Sequence, residues 1–125
     1  MSRALICVAA LTLAAPAYAD ASYFSAIEDL PMPPGFVEAG AASTFDAGGG
    51  RVVVVEAEGA ADGAAVRDFY YEALPQLGWA VSPRTDGALV FQRGREELSF
   101  TLDRDDGRTR LGARLVTHPA STNAN

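Results

Sequence analysis

The sequence predicts an α+β domain: an antiparallel sheet of about five or six strands, with one main helix packed on one face, in the order β-β-α-β-β-β. Three observations carry this. Residues 51–58 hold four consecutive valines, β-branched and stiff. Residues 62–78 hold the single stretch with clear helical periodicity. Residues 79–117 alternate apolar and polar side chains between Asp-Gly and Gly-Arg turns.

The chain has 125 residues. Its first 19 carry the three parts of a secretory signal. Arg3 gives a positive start, and Ala4 to Ala15 form an uncharged, mostly apolar run. Ala17 and Ala19 then place small side chains at the minus-three and minus-one positions of a cleavage site. The run is shorter than the roughly 20 apolar residues of a spanning helix. Cleavage after Ala19 is therefore expected, giving an exported chain that begins at Asp20, most simply periplasmic or secreted, without stable membrane insertion. Cleavage would remove Cys7, the only cysteine, leaving no disulfide and no thiol chemistry.

The exported part would be one domain, with sixteen acids against nine arginines and no lysine. This acidity argues against nucleic-acid binding, which needs a positive field. Seven arginines lie beyond residue 79. They are expected to pair across strands with Glu56, Glu58, Glu97 and Asp103.

In chain order, residues 20–35 read as an extended lead-in. Tyr23, Phe24, Ile27 and Leu30 have helical spacing, so a turn or two is allowed, and Pro31, Pro33 and Pro34 then force an extended path. Gly35 is taken as the opening of the domain, which runs over 36–117. Residues 36–39 and 43–46 read as short strands, with Gly48 to Gly50 as the turn into the valine strand. In the helix, Asp62 is placed as N-cap and Gly78 as the left-handed C-terminal residue. Val66, Phe69, Tyr70, Ala73 and Leu77 form the apolar stripe, and Pro75 should kink or tighten the last turn. Residues 79–82, 89–93, 97–103 and 109–117 read as strands, with Trp79 at the corner leaving the helix. Leu89, Phe91, Leu98, Phe100, Leu102, Leu111 and Leu115 should face the helix, beside Val53 and Val55. The opposite face would hold Val52, Val54, Glu56, Glu58, Gln92, Ser99, Thr101, Arg110 and Arg114. Residues 118–125 read as a disordered tail.

The string Phe69-Tyr70-Tyr71-Glu72-Ala73-Leu74-Pro75-Gln76-Leu77-Gly78-Trp79 resembles the F-Y-x-x-x-L-P-x-L-G-W segment of small exported bacterial proteins of unknown function. Phe91-Gln92-Arg93 with Glu97-Leu98, and Asp29 to Met32 with Pro34-Gly35, resemble flanking parts of the same group. The resemblance implies a compact α+β domain of the bacterial envelope and supplies no catalytic residues to carry over.

Catalytic and metal-binding patterns are weak. His118, the lone histidine, lies in the expected tail, where no triad base can be held. With no second histidine and no cysteine, a zinc site is not expected. Asp103, Asp105, Asp106 and Gly107 echo a calcium loop, but arginine stands where the bidentate glutamate would fall, at Arg114. Glu56 and Glu58 sit about 6.7 Å apart along one strand face, a spacing that overlaps glycosidase carboxylates; an open face supplies no burial to raise a pKa. Gly48 to Gly50 precedes a strand, so it is not a phosphate loop. No cofactor and no enzyme activity are expected.

The expected function is therefore a non-catalytic exported domain that binds another envelope component. The alternative is a small-ligand binder using the cleft between helix and sheet. The interaction surface is placed at Tyr71, about 140° from the centre of the helix's apolar stripe, or on the outer sheet face at Val52, Val54, Arg110 and Arg114. Val52 and Val54 could equally serve a self-association edge. The oligomeric state is left open.

Overall fold

The computed structural model describes residues 22–120. The expected signal segment 1–19, its cleavage point and the tail residues 121–125 lie outside the described residues.

The chain forms β1 (Val37–Glu38), β2 (Ser43–Ala47), β3 (Gly50–Gly59), α1 (Gly63–Ala73), a short 3₁₀ turn (Pro75–Leu77), β4 (Ala80–Val81), β5 (Leu89–Arg93), β6 (Glu96–Asp105) and β7 (Arg108–Thr117). All strands join one seven-stranded sheet in the order β1-β3-β7-β6-β5-β4, with β2 also on β3. Every pairing is antiparallel. β7 takes one whole edge of β3, while β1 and β2 share the other. The fold is α+β and dominated by its sheet.

Three ten-residue strands, β3, β6 and β7, set the register. Side chains opposite each other in a ladder point to the same face. One face therefore carries Val53, Val55, Ala57, Leu111, Ala113, Leu98, Phe100, Leu89 and Phe91, all buried. Leu102 and Leu115 pack at its margin. This is the apolar set that alternation predicts. The β6–β7 turn uses Asp106 and Gly107 at positive φ, 48° and 74°, as a tight two-residue hairpin requires. Asp86-Gly87 does not form such a hairpin. It lies in a longer loop between Val81 and Leu89, where the Asp86 carboxylate accepts from the Ala88 amide.

The helix begins as its sequence predicts: the Asp62 side chain accepts from the Ala65 amide at 2.9 Å. Pro75 ends the α-helical ladder and starts the 3₁₀ turn, and Gly78 closes it at φ 90°. Tightening there changes which residue is buried. Leu74 is fully buried, whereas Leu77, expected on the stripe, is 37% exposed. The cause is the switch to about three residues per turn, which rotates the last side chains off the 3.6-residue stripe. Tyr70 stacks on Phe100 of β6 with ring centroids 4.2 Å apart, and Phe69 meets Tyr70 edge-on.

The segment before β1 differs from a lead-in. Phe24, Ile27, Leu30, Met32 and Phe36 are all buried in the main core. No helix forms there; Phe24 donates to the Leu30 carbonyl, and Tyr23 bridges to Pro31. Gly35 is therefore not a boundary of the packed unit. The extended path expected from the prolines is not what forms: the segment turns back on itself between Tyr23 and Pro31, and its apolar side chains fill the layer beside α1. Tyr70 fixes it by donating its hydroxyl to the Pro31 carbonyl at 2.9 Å. The Glu38 carboxylate adds hydrogen bonds from the Ser25 amide and hydroxyl.

Candidate interaction surfaces

Two exposed surfaces hold the residues singled out above. The first is the sheet face turned away from α1. The register places Val52, Val54, Glu56 and Glu58 of β3 on it, opposite Val116, Arg114, Gly112 and Arg110 of β7. Ser99, Thr101 and Asp103 of β6 continue these rows. β2 adds Ser43 and Phe45, opposite Val54 and Val52, and β1 adds Val37, opposite Glu58. Phe45 is 59% exposed and Val37 61%. Phe45, Val52, Val54 and Val116 thus form an apolar end, while Glu58, Arg110 and Asp103 form a charged end.

Four of the five sequence-chosen residues (Val52, Val54, Arg110 and Arg114) meet on this face. Phe45, Val37 and Val116 were not singled out. The signal was present: folding residues 43–47 back across the Gly48-Gly49 turn assigns Phe45 to the Val52 side. In the middle Thr101 leans over Gly112; a Cβ there would stand 2.5 Å from the Thr101 hydroxyl.

Part of the charge on this face is already neutralised. Arg110 contacts Glu58 at 3.2 Å, and Arg84 reaches Glu97 at 3.5 Å. Of the four acids expected to pair across strands, Glu58 does so; Glu97 pairs with Arg84 of the loop before β5, and Glu56 and Asp103 form no ion pair among the described residues. Among the described residues, the side chains of Arg114 and Glu56 carry no ion pair or hydrogen bond.

The second surface surrounds Tyr71. Its ring is 44% exposed and rests on Phe91, with centroids 5.9 Å apart. Val81 of β4 lies opposite Phe91 in the ladder and is 45% exposed. Leu77 belongs to the same end, since Arg93, two residues along β5 from Phe91, donates to its carbonyl. Arg93 also covers Trp79 at 4.4 Å from the ring centre and pairs with Glu96. β4 ends the sheet order with only two paired residues.

The remaining candidates sit as follows. His118 is held rather than free: its amide donates to the Arg95 carbonyl, and the Arg95 side chain donates back to the His118 carbonyl. The tail expected from residue 118 therefore does not begin there. At the acidic turn, Arg104 donates to the Thr109 hydroxyl and the Gly107 carbonyl, so an arginine closes the loop. A depression of about 170 Å³ there is lined by Glu58, Asp105, Asp106, Arg108, Thr109 and Arg110. Among the described residues, no group of three or more His, Cys, Asp or Glu side chains could hold a metal ion. At the β2–β3 turn Asp46 hydrogen-bonds Arg51 at 2.8 Å and holds the guanidinium pKa up. Tyr70 is a buried titratable group, its pKa pushed up by burial, and its hydroxyl is committed to Pro31.

No protein-family model, curated protein or solved structure matches this chain.

Proposed function

We propose that this chain is a non-catalytic exported domain that binds another component of the bacterial envelope through the Tyr71 surface. The observation that carries the reading is Tyr71 itself. A tyrosine whose ring leans on Phe91 at 54°, with Val81 opposite Phe91 in the ladder, offers an apolar platform with a polar tip, the side-chain type enriched at binding hot spots. It stands next to the short terminal strand β4. An extended partner segment can add to such an edge through its backbone and place side chains against Tyr71 and Val81. The envelope setting rests on the N-terminal signal pattern and on the likeness of residues 69–79 to small exported proteins.

The arrangement of polar groups also supports binding over catalysis. Every buried side-chain nitrogen or oxygen among the described residues has a partner. A ligand in the helix–sheet cleft has less support, because Val66, Tyr70, Leu74 and Phe91 fill that layer.

The test is a photo-crosslinking residue at Val81 in cells making the protein. A specific adduct is expected, lost on Tyr71→Ala while the melting temperature stays within a few degrees. An adduct that survives Tyr71→Ala would overturn the reading, and so would the lack of any adduct.

A further inference from the structure

The sheet face away from α1 poses a separate question. An antiparallel sheet can leave one face in water when that face is polar. This one carries an apolar patch of Phe45, Val52, Val54 and Val116 at one end, with Phe45 59% exposed, beside Arg114 and the Arg84–Glu97 pair.

The charges say what fits there. Glu58 is satisfied by Arg110, and Glu97 by Arg84. Arg114, Glu56 and Asp103 are left, without side-chain partners among the described residues, and Arg114 and Glu56 carry opposite charges. Glu56 lies opposite Gly112, two residues from Arg114 on the same strand. That diagonal puts their Cα atoms about 7–8 Å apart. A two-fold axis lying between two stacked sheets, over the midpoint of this diagonal, exchanges the two positions. Arg114 of one copy then meets Glu56 of the other, twice. This is the reciprocal contact an isologous interface requires.

The area is also suitable. At about 3.3 Å per residue and about 4.8 Å between strands, the seven strands cover roughly 700 Å² of sheet. A stable dimer of ordinary size buries about 800 Å² per partner. Two sheets can pack face to face, with the side chains of the facing rows interdigitating.

We propose that a second copy of this chain covers the face, forming a two-fold symmetric sandwich held by the Phe45–Val52–Val54–Val116 patch and two Arg114–Glu56 pairs. An anionic membrane surface fits less well, because the chain carries a net charge of −6. A different protein would have to supply both the acid and the base that a second copy already has. The proposal does not depend on the Tyr71 reading: the Tyr71 platform lies on the opposite layer and stays open in the dimer.

Sedimentation equilibrium of the purified chain, as the cell exports it, provides the test. The wild type should be a dimer. Arg114→Glu and Glu56→Arg should each raise the dissociation constant about 100-fold, since each loses two attractions and gains two repulsions by symmetry. The double variant Glu56→Arg with Arg114→Glu should return to within about threefold of wild type. Both positions are exposed, and melting curves would establish that each variant is folded. Tyr71→Ala should leave the dimer unchanged. A wild type that stays monomeric at about 100 μM would overturn the proposal, and so would a folded double variant as weak as the singles. Flotation of a monomeric chain with anionic vesicles would assign the face to a membrane and overturn it equally.

Discussion

Tyr70 connects three parts of the molecule through one side chain. Its ring stacks on Phe100 of β6, its backbone belongs to α1, and its hydroxyl donates to Pro31 of the N-terminal segment. Tyr70→Phe keeps the ring but orphans the buried carbonyl, so a loss of about 1–2 kcal/mol is expected in urea unfolding. Burial also disfavours the phenolate, raising the folded pKa above the ordinary value of 10.0. The unfolded chain then gives up this proton first as pH rises. Stability from this group is whole below pH 10 and falls above it; Tyr70→Phe should flatten that alkaline decline. Gly59 makes a second point at this scale. It has no left-handed φ to excuse a glycine; the Phe36 ring lies where a Cβ would be. Gly59→Ala should cost about 1–3 kcal/mol by displacing a buried ring. Gly78 was legible from the sequence because helix ends favour left-handed glycine. Gly59 was not, because nothing local marks a ring arriving from more than twenty residues away.

Among the elements, α1 was the most legible, because its signals are local. Asp62 caps it, and Pro75 and Gly78 end it as their chemistry dictates. Asp62→Ala should cost about 0.5–2 kcal/mol, measurable by thermal unfolding, because the Ala65 amide would lose its acceptor. The one error inside the helix, Leu77 for Leu74, came from extending a 3.6-residue period through a proline that shortens the turn. The long strands were legible for the same reason: period-two alternation survives any tertiary arrangement, and it assigned Val52, Val54, Arg110 and Arg114 to one face. Of the residues missed on that face, Phe45 and Val37 belong to β2 and β1, which have five and two residues. Strands that short show too little alternation to declare a face, and only the register of β3 assigns one.

At the scale of the whole molecule, the N-terminal segment decides how the domain holds together. Phe24, Ile27, Leu30 and Met32 supply four of the core residues, yet all four precede the glycine where the sequence suggested that the domain opens. Three nearby prolines read as a linker signal, and a linker is what they would make if their neighbours stayed in water. Here the prolines serve packing instead: a segment whose φ angles proline already restricts loses less conformational entropy when it is laid down. The chain is small, and its single cysteine can form no internal disulfide to offset a missing part of its core. Leu30 therefore tests whether the segment is structural or ornamental. It is 2% exposed, as deep as Leu98 at the centre of the sheet. Leu30→Ala should cost about 2–5 kcal/mol, as a central core truncation does. The loss should be global, with helix and sheet signals falling in one transition. If instead Leu30→Ala cost less than about 0.5 kcal/mol, the sheet and helix would be self-sufficient and residues 22–35 would only rest on them. The hydrogen bond from Tyr70 to Pro31 argues for the first outcome, because a buried donor of the helix has been committed to that segment.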